Sequence, residues 1–458
     1  MRRKKKNDQR LKNKSDLKTN MNKRVARYKR GFDAGYQQGL EAGYKSFESY
    51  FEGTSIIIPS DNEVEYVKQC IESIINHTDL PYEIIVVDNN SSDGMKHYMK
   101  QLDGFVRYQI LSHNHGFAGA VNRGLMMAKG TTILLLSNHA VCTDNWLNNM
   151  LICLQSNSSI GMVGPVLNEM NGSEMNELND SSMDDLQKYE TLSNQSDSAK
   201  WSDEEILSQK CLLLRRDLLE KVGFLDEGCL EGSYVIEDYC IRVKLQGLSL
   251  VHAGDAFVHL ASDDKVIPDH EAEAASEKAM RYYTDKWNED SYKSAISNLL
   301  SRIDAHQQDR LYERKLGETT FYPQAIAVKG LMDTIFWIED DVRRPIEGIW
   351  DGPVIQLSQM DLKRWLFGPV LTEEEALFKL EIVQGDGQNN VLHGSICVKA
   401  DGCMYYMEKG MKRAIVSPLA AEAWFMNMRS QISLPESQLH DVPDGLPIIG
   451  PVRLRQAL

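Results

Sequence analysis

The sequence of this 458-residue chain predicts an α/β fold with a mostly parallel sheet, on three observations. Apolar runs of strand length recur at Ser55–Pro59, Glu83–Val87 and Thr131–Leu136. Polar-capped stretches that read as helix, Val64–His77 and Gly116–Lys129, lie around them. Strand–helix alternation of this kind belongs to a parallel sheet covered by helices on both faces.

The elements follow in order from the N-terminus. Residues 1–30 hold fourteen Lys and Arg against Asp8 and Asp16, a net of +12, so the chain's total of −15 leaves −27 on residues 31–458. Such an arm suits an anionic membrane surface, where each Lys or Arg near the headgroups is worth roughly 1 kcal/mol. It equally suits an anionic polymer, the acidic body of a partner, or a solvated disordered tail. Nucleic acid is not expected as a partner, because the acidic remainder would repel phosphates. Next, residues 31–52 place glycine at 31, 35, 39 and 43, with Phe32, Tyr36, Leu40 and Tyr44 at the same spacing. On a helix this gives a glycine groove beside an aromatic ridge, suited to helix docking or homo-oligomerisation through residues 31–44. A linker is the alternative.

Residues 53–300 carry the strand–helix alternation. Pro59 ends its strand where a ligand can approach. Within this span, residues 169–205 hold eleven Asp and Glu against two Lys, and read as an acidic, flexible surface segment. Strand-like pattern resumes at Cys211–Leu214, and a charged helical region covers Glu271–Arg314. Residues 316–458 read as a separate, mixed α/β C-terminal domain. Gln324–Val328, Gly394–Val398 and Met404–Tyr406 look like strands there, while Leu331–Trp337, Leu362–Trp365 and Ala420–Met428 look partly helical. Its Asp340, Asp341, His393 and Asp401 have no spacing that implies a reaction, so structural use is expected.

Composition narrows the setting. No apolar run approaches the roughly 20 residues of a membrane span. The N-terminus has no signal-peptide stretch. Eight scattered cysteines without a Cys-x-x-Cys pair point to a reducing compartment and away from structural zinc. A cytoplasmic protein, peripheral at the inner membrane surface if the arm binds there, is the expectation.

Several ordered motifs then carry a resemblance: Ile56–Pro59, Tyr82–Gly94, the Gly-Phe-Ala-x-Ala-x-Asn-x-Gly run from Gly116, Gly161–Pro165, Gly223–Glu227, Ala253–His259 and Tyr283–Trp287. Residues 55–290 resemble the bacterial family 2 glycosyltransferases of the GT-A (Rossmann-like) fold. The resemblance implies that a nucleoside diphosphate sugar is held by Pro59, Asp88, Asn90, Asp93, Gly116 and Asn122, with its diphosphate near Asn138. Independently, ligands of doubly wound sheets bind beyond the carboxyl ends of strands, where Asp88 is expected.

Two positions depart from the family. Its metal-binding Leu-Asn-Asn-Asp reads Leu136-Ser-Asn-His139 here, which leaves His139, with His259, as candidate ligands for a divalent metal, Mn2+ or Mg2+. Its Glu-Asp pair before the arginine falls on Val235 and Ile236 when counted from Arg242. Asp238 is then the expected catalytic base, with Glu237 as substitute. The implied function is inverting transfer of a sugar to a glycan acceptor in surface or spore polysaccharide synthesis. The alternative is a catalytically degenerate, nucleotide-binding scaffold.

Overall fold

Strands β1 (Phe51–Ser60), β2 (Tyr82–Asp88) and β3 (Arg107–Ile110) run parallel, in a register that sets Ser60 opposite Asp88 and Asp88 opposite Ile110. Ile56, Ile58, Ile84 and Val86 pack on one face, and Ile57, Ile85 and Val87 on the other. Burial on both faces is why these strands are unbroken apolar runs. The computed structural model describes residues 50–102, 104–168, 194–229, 232–261, 270–303, 316–385, 394–399, 402–432 and 435–455. The basic arm, nearly all of the glycine-spaced segment, residues 169–193, His393 and Asp401 lie outside the described residues.

The sheet continues through β4 (Gly130–Leu136), β5 (Ala140–Cys142), β6 (Ile160–Leu167), β7 (Trp201–Glu204), β8 (Cys211–Arg215) and β9 (Ser249–Leu260). Its order is β3-β2-β1-β4-β8-β6-β9-β5, with β7 paired to β9. β8 runs antiparallel between β4 and β6, so its first residues meet the last residues of β4. Helices α1 (Val64–His77), α2 (Met95–Gln101) and, after α3 (Gly116–Met127), α4 (Trp146–Ser156) cover one face. The other face takes α3, α5 (Arg216–Val222) and α6 (Gly232–Leu245). In α1 the buried Val64, Val67, Cys70, Ile71 and Ile74 form one stripe of helical spacing. Helix α3 comes so close to β1 that a Cβ on Gly124 would lie 2.3 Å from a methyl of Ile57.

Part of the acidic segment is structured. From Asn194 onward it adds β7 to the sheet, because Asp255 accepts hydrogen bonds from Asp197 N (2.8 Å) and Trp201 Nε1 (2.8 Å). The helical region expected over Glu271–Arg314 contains α7 (His270–Trp287) and α8 (Tyr292–Ser301).

The C-terminal region contains an internal duplication. Strands β10 (Ile326–Lys329), β11 (Ile335–Glu339) and β12 (Val342–Glu347) form an antiparallel meander. It is repeated by β13 (Ile396–Val398), β14 (Met404–Glu408) and β15 (Met411–Ala414). Each tight turn uses left-handed backbone at both central residues, Asp340–Asp341 and Lys409–Gly410. That conformation matches a hairpin's twist. Glu339 pairs with Arg344 in one copy and Glu408 with Arg413 in the other. Each copy then has a serine-capped helix ending at a buried tryptophan: α9 (Gln359–Arg364) with Ser358 and Trp365, α10 (Pro418–Ala423) with Ser417 and Trp424. The segment Leu331–Trp337, expected to be partly helical, instead enters β11 and alternates its side chains between neighbours in the sheet. The two tryptophans and Tyr322 belong to the same apolar cluster as Leu225, Tyr283 and Trp287.

Candidate active site

A cavity of about 390 Å3 opens where β1, β2 and β4 end and β8 begins. Pro59, Ser60, Asp61 and Glu63 form one wall, Asn89, Asn114, Gly116 and Phe117 another, and Ser137, Asn138, Gln209 and Lys210 a third. The register explains the convergence. Parallel pairing brings Ser60 beside Asp88, and the ladder extends past the strands through Asn89 N to Ser60 O (2.8 Å). On the other side, Ser137 N donates to Lys210 O at 2.7 Å.

Asp88 is fully buried at the end of β2. Its Oδ1 accepts from the Ser91 amide and hydroxyl, while Oδ2 has no partner. Burial pushes its carboxyl above the ordinary value of 3.8. An unpaired buried carboxylate oxygen is costly, and this one lies directly behind Ser60 and Asn89, which line the cavity. Gly116 adopts a left-handed φ of 72° and donates its N–H to Asn114 Oδ1 at 2.7 Å.

Other expected donor contacts are placed elsewhere. Asn90 turns out to solvent on left-handed backbone, and its neighbour Asn89 lines the cavity. Asn89 ties its own wall together through Asn114 Oδ1 (2.7 Å) and His115 N (2.8 Å). Asp93 uses both oxygens on helix starts, accepting from Val64 N (2.7 Å) and Met95 N (3.2 Å). It joins α1 to α2, so its expected nucleoside contact is corrected to a capping role. Asn122 is completely buried and bonds Leu225 N, Leu225 O and Glu227 Oε1, so it clamps α3 to the 225–227 turn rather than touching a ligand.

The turn after β4 presents Asn138 and His139. Asn138 Nδ2 donates to Glu63 Oε2 at 2.5 Å, and His139 Nε2 lies 2.8 Å from Glu63 Oε1. His139 Nδ1 lies 3.2 Å from Ala261 O, and the ring stacks on Tyr66 at 4.0 Å. The hydrogen bond from His139 holds the Glu63 carboxyl below its ordinary range against the effect of burial. The same bond raises the His139 imidazole. With both ring nitrogens engaged, His139 has no lone pair for a metal. His259 sits opposite Val141 in the β5–β9 pair, with a buried, unpartnered Nδ1 and a pKa lowered by burial. The expected His139/His259 metal pair is thereby corrected: among the described residues the carboxylates lining the cavity are Asp61 and Glu63.

Asp238 is corrected as well. It is fully buried, with Oδ2 2.9 Å from Arg242 Nε and Oδ1 2.5 Å from Lys286 Nζ and 3.2 Å from Trp287 Nε1. Burial alone would raise its carboxyl, but Lys286 and Arg242 outweigh it and hold it below the ordinary range. Arg242 continues to Glu318 Oε2 (2.9 Å), and Lys286 to Asp226 Oδ2 (2.6 Å). Both Asp238 oxygens are thus engaged, and Asp238 is not among the residues lining the cavity. Val235 and Ile236 are buried in the core. Glu237 is half-buried, with its carboxyl raised by burial. It is not among the residues lining the cavity.

Residues 55–223 match the family model described as glycosyl transferase family 2. The matched segment is thus a glycosyltransferase family 2 domain within a longer chain. The nine-stranded sheet is layered with helices on both faces. The chain is similar to glycosyltransferase AglE of Haloferax volcanii, at 25% identity over 206 residues, 44% of this chain and 64% of the relative. It is also similar to glycosyltransferase GlyG of Streptococcus pneumoniae serotype 4, at 25% over 204 residues, 42% of this chain and 67% of that one. The matches thus span about two thirds or less of these relatives. Among solved structures, a mannosyltransferase of Pyrobaculum calidifontis in complex with GDP-Man and Mn2+ aligns at 16% identity. The alignment covers 59% of this chain and 75% of that chain, with a TM-score of 0.40.

Sequence reasoning missed Asp61, Glu63, Asn89 and Lys210. The rule that ligands bind past the carboxyl ends of strands points to Asp61 and Glu63, which follow β1 directly. For an antiparallel strand, the same edge lies before its first residue, and Lys210 stands there ahead of β8.

Proposed function

We propose that the cavity holds a nucleoside diphosphate sugar and that the protein transfers the sugar, with inversion, to a glycan acceptor in surface or spore polysaccharide synthesis. The observation that carries this reading is the polar cavity at the ends of β1, β2 and β4, whose lining residues Ser60 and Asn89 flank the buried Asp88 with its unpartnered Oδ2. The family match of residues 55–223 and the similarity to AglE and GlyG support the reaction class. In a single displacement the acceptor oxygen bonds to the anomeric carbon as the bond to the diphosphate breaks. The acceptor proton then passes to a carboxylate. Asp61 and Glu63 line the cavity, and Glu237 is the member of the expected pair left without an ion pair.

A divalent ion fits this donor set. Mg2+ and Mn2+ favour oxygen ligands, and Mg2+ is commonly held by one or two carboxylates together with substrate phosphates. Asp61 and Glu63 would hold such an ion, whose chemistry is to neutralise the leaving diphosphate. The triad Asp226, Cys229 and Asp238 also brings three ligand atoms together, but the Lys286 ammonium already lies within 2.6 Å of both its carboxylates.

One observation favours a second reading, a nucleotide-binding protein without turnover. The two base positions hold the buried Val235 and Ile236, and Asp238 is locked in ion pairs. Among the described residues, no helix is long and apolar enough to cross a membrane, so membrane association through the basic arm stays part of the proposal.

The test is a panel of uridine, guanosine and thymidine diphosphate sugars with Mn2+, Mg2+ or chelator, read by nucleoside diphosphate release and by calorimetry. Release with one donor supports the enzyme, and Asp61→Asn, Glu63→Gln and Glu237→Gln then separate the proton acceptors. Binding without release, with acceptor glycans supplied, supports the second reading.

A further inference from the structure

We infer that Lys210 is the residue that meets the diphosphate of the bound nucleotide, an inference that rests on the nucleotide-sugar reading of this cavity. The backbone of Lys210 is fixed from both sides. Its carbonyl accepts from Ser137 N (2.7 Å), and its N–H donates to Ser208 Oγ (3.2 Å). Because β8 pairs antiparallel to β4 with Cys211 opposite Leu136, Lys210 stands against the turn that carries Asn138 and His139. Its side chain lines the cavity.

The charges along the cavity separate its two ends. Asn89, Asn114 and Gly116 line one side, where hydrogen-bonding groups suit a nucleoside. At the other, His139 is spent on Glu63, and Asn138 on the same carboxylate. Lys210 is close enough to act on the charges of both Glu63 and His139. Among the described residues, its ammonium makes no hydrogen bond or ion pair. A lysine ammonium is a compact point charge with three donors, a form suited to phosphate oxygens. Its unused donors therefore lie where the leaving diphosphate gathers charge, opposite the carboxylates that an accompanying metal would use.

The test is calorimetry on the full chain with uridine, guanosine, their mono- and diphosphates and inorganic pyrophosphate, each with Mn2+ and with chelator. The proteins are wild type, Lys210→Met and Lys210→Arg. Loss of one charge-assisted contact is expected to weaken diphosphates and pyrophosphate about 10- to 100-fold in Lys210→Met. Nucleoside affinity and melting temperature should be unchanged, with affinity restored in Lys210→Arg. Unchanged diphosphate affinity in Lys210→Met, while nucleosides bind normally, overturns the inference and leaves the cavity's reading intact. Equal weakening of nucleosides and diphosphates also overturns it, since that marks a change of cavity shape. If wild type binds none of these ligands, the cavity's reading falls and the inference with it.

Discussion

Glu63 and His139, 76 residues apart in sequence, meet at 2.8 Å behind the cavity wall to which Glu63 belongs. The carboxylate that the family places at the position of His139 is absent from the chain at that point. A carboxylate is nevertheless present in space, delivered from the start of α1. Glu63 supplies the carboxylate oxygens of this wall, and the His139 imidazole, its pKa raised by the same bond, is its partner.

The pair predicts a pH signature. Glu63 has a lowered pKa, so its contribution is complete above its ordinary value of 4.5 and is lost as pH falls through the lowered one. His139 has a raised pKa, so its contribution is complete below its ordinary value of 6.5 and is lost as pH rises through the raised one. The stability difference between wild type and His139→Asn is thus greatest from pH 4.5 to 6.5. It should be about 1 kcal/mol or less, because the pair is partly open to solvent. Urea titrations in chelator, at mildly acidic and at alkaline pH, check this; a difference that grows in alkali contradicts the assignment.

Asp88 predicts an exchange of stability for binding. Burial without a partner for Oδ2 raises its pKa, so ionisation costs the folded state as pH rises above 3.8. Asp88→Asn removes that charge. The ligand-free variant should be as stable as wild type or more so at neutral pH, by up to about 1 kcal/mol. Nucleotide binding should fall at least tenfold, as for loss of a hydrogen bond to a charged acceptor. Thermal melting with and without uridine or guanosine diphosphate reads both effects. A variant that is destabilised and binds normally would make Asp88 a structural residue.

For Asp238 the expected effect lies in folding. Asp238→Ala leaves Lys286 and Arg242 buried with half their counter-charge, a loss of about 3–5 kcal/mol. The fraction that stays folded at low temperature should still bind nucleotide. Chemical denaturation followed by calorimetry tests this. An Asp238→Asn protein of normal stability that binds but shows no turnover would return Asp238 to the role of base.

The parts of the fold legible in the sequence are those governed by local pattern. The apolar runs at Ile56–Ile58, Ile84–Val87 and Ile133–Leu136 and the stripe of α1 appear where periodicity places them. Site residues set by strand direction were not legible. Lys210 reaches the cavity only because β8 is antiparallel, a fact fixed by long-range pairing with Leu136 and its neighbours. Asn89 and Asn90 are chemically alike, and only the left-handed backbone at 90 decides which one faces inward. Asp93 carries a motif acid, yet both oxygens are drawn to the amides of Val64 and Met95. The duplication was visible as Glu339 and Arg344 recurring 69 residues later as Glu408 and Arg413, but hidden by the different lengths of the intervening loops.

That duplication predicts coupled behaviour of its two tryptophans. Trp365 and Trp424 both pack on Tyr322, with ring centroids 6.4 and 4.8 Å away. Each is buried, so replacement by alanine should cost about 3–5 kcal/mol. Their polar edges differ: Trp424 Nε1 donates to Ile449 O at 2.6 Å, whereas Trp365 Nε1 has no partner. Replacement by phenylalanine should therefore cost about 1 kcal/mol more at 424 than at 365, the net worth of one hydrogen bond. Because both rings lean on one tyrosine, the double alanine variant should depart from additivity by about 0.5–3 kcal/mol. A double-mutant cycle by urea denaturation measures the departure. Strict additivity would show that the copies are stabilised independently and that Tyr322 does not link them. A departure in the expected range would establish the duplicated region as one cooperative unit, held to the sheet domain through the core that Tyr322 shares with Tyr283 and Trp287.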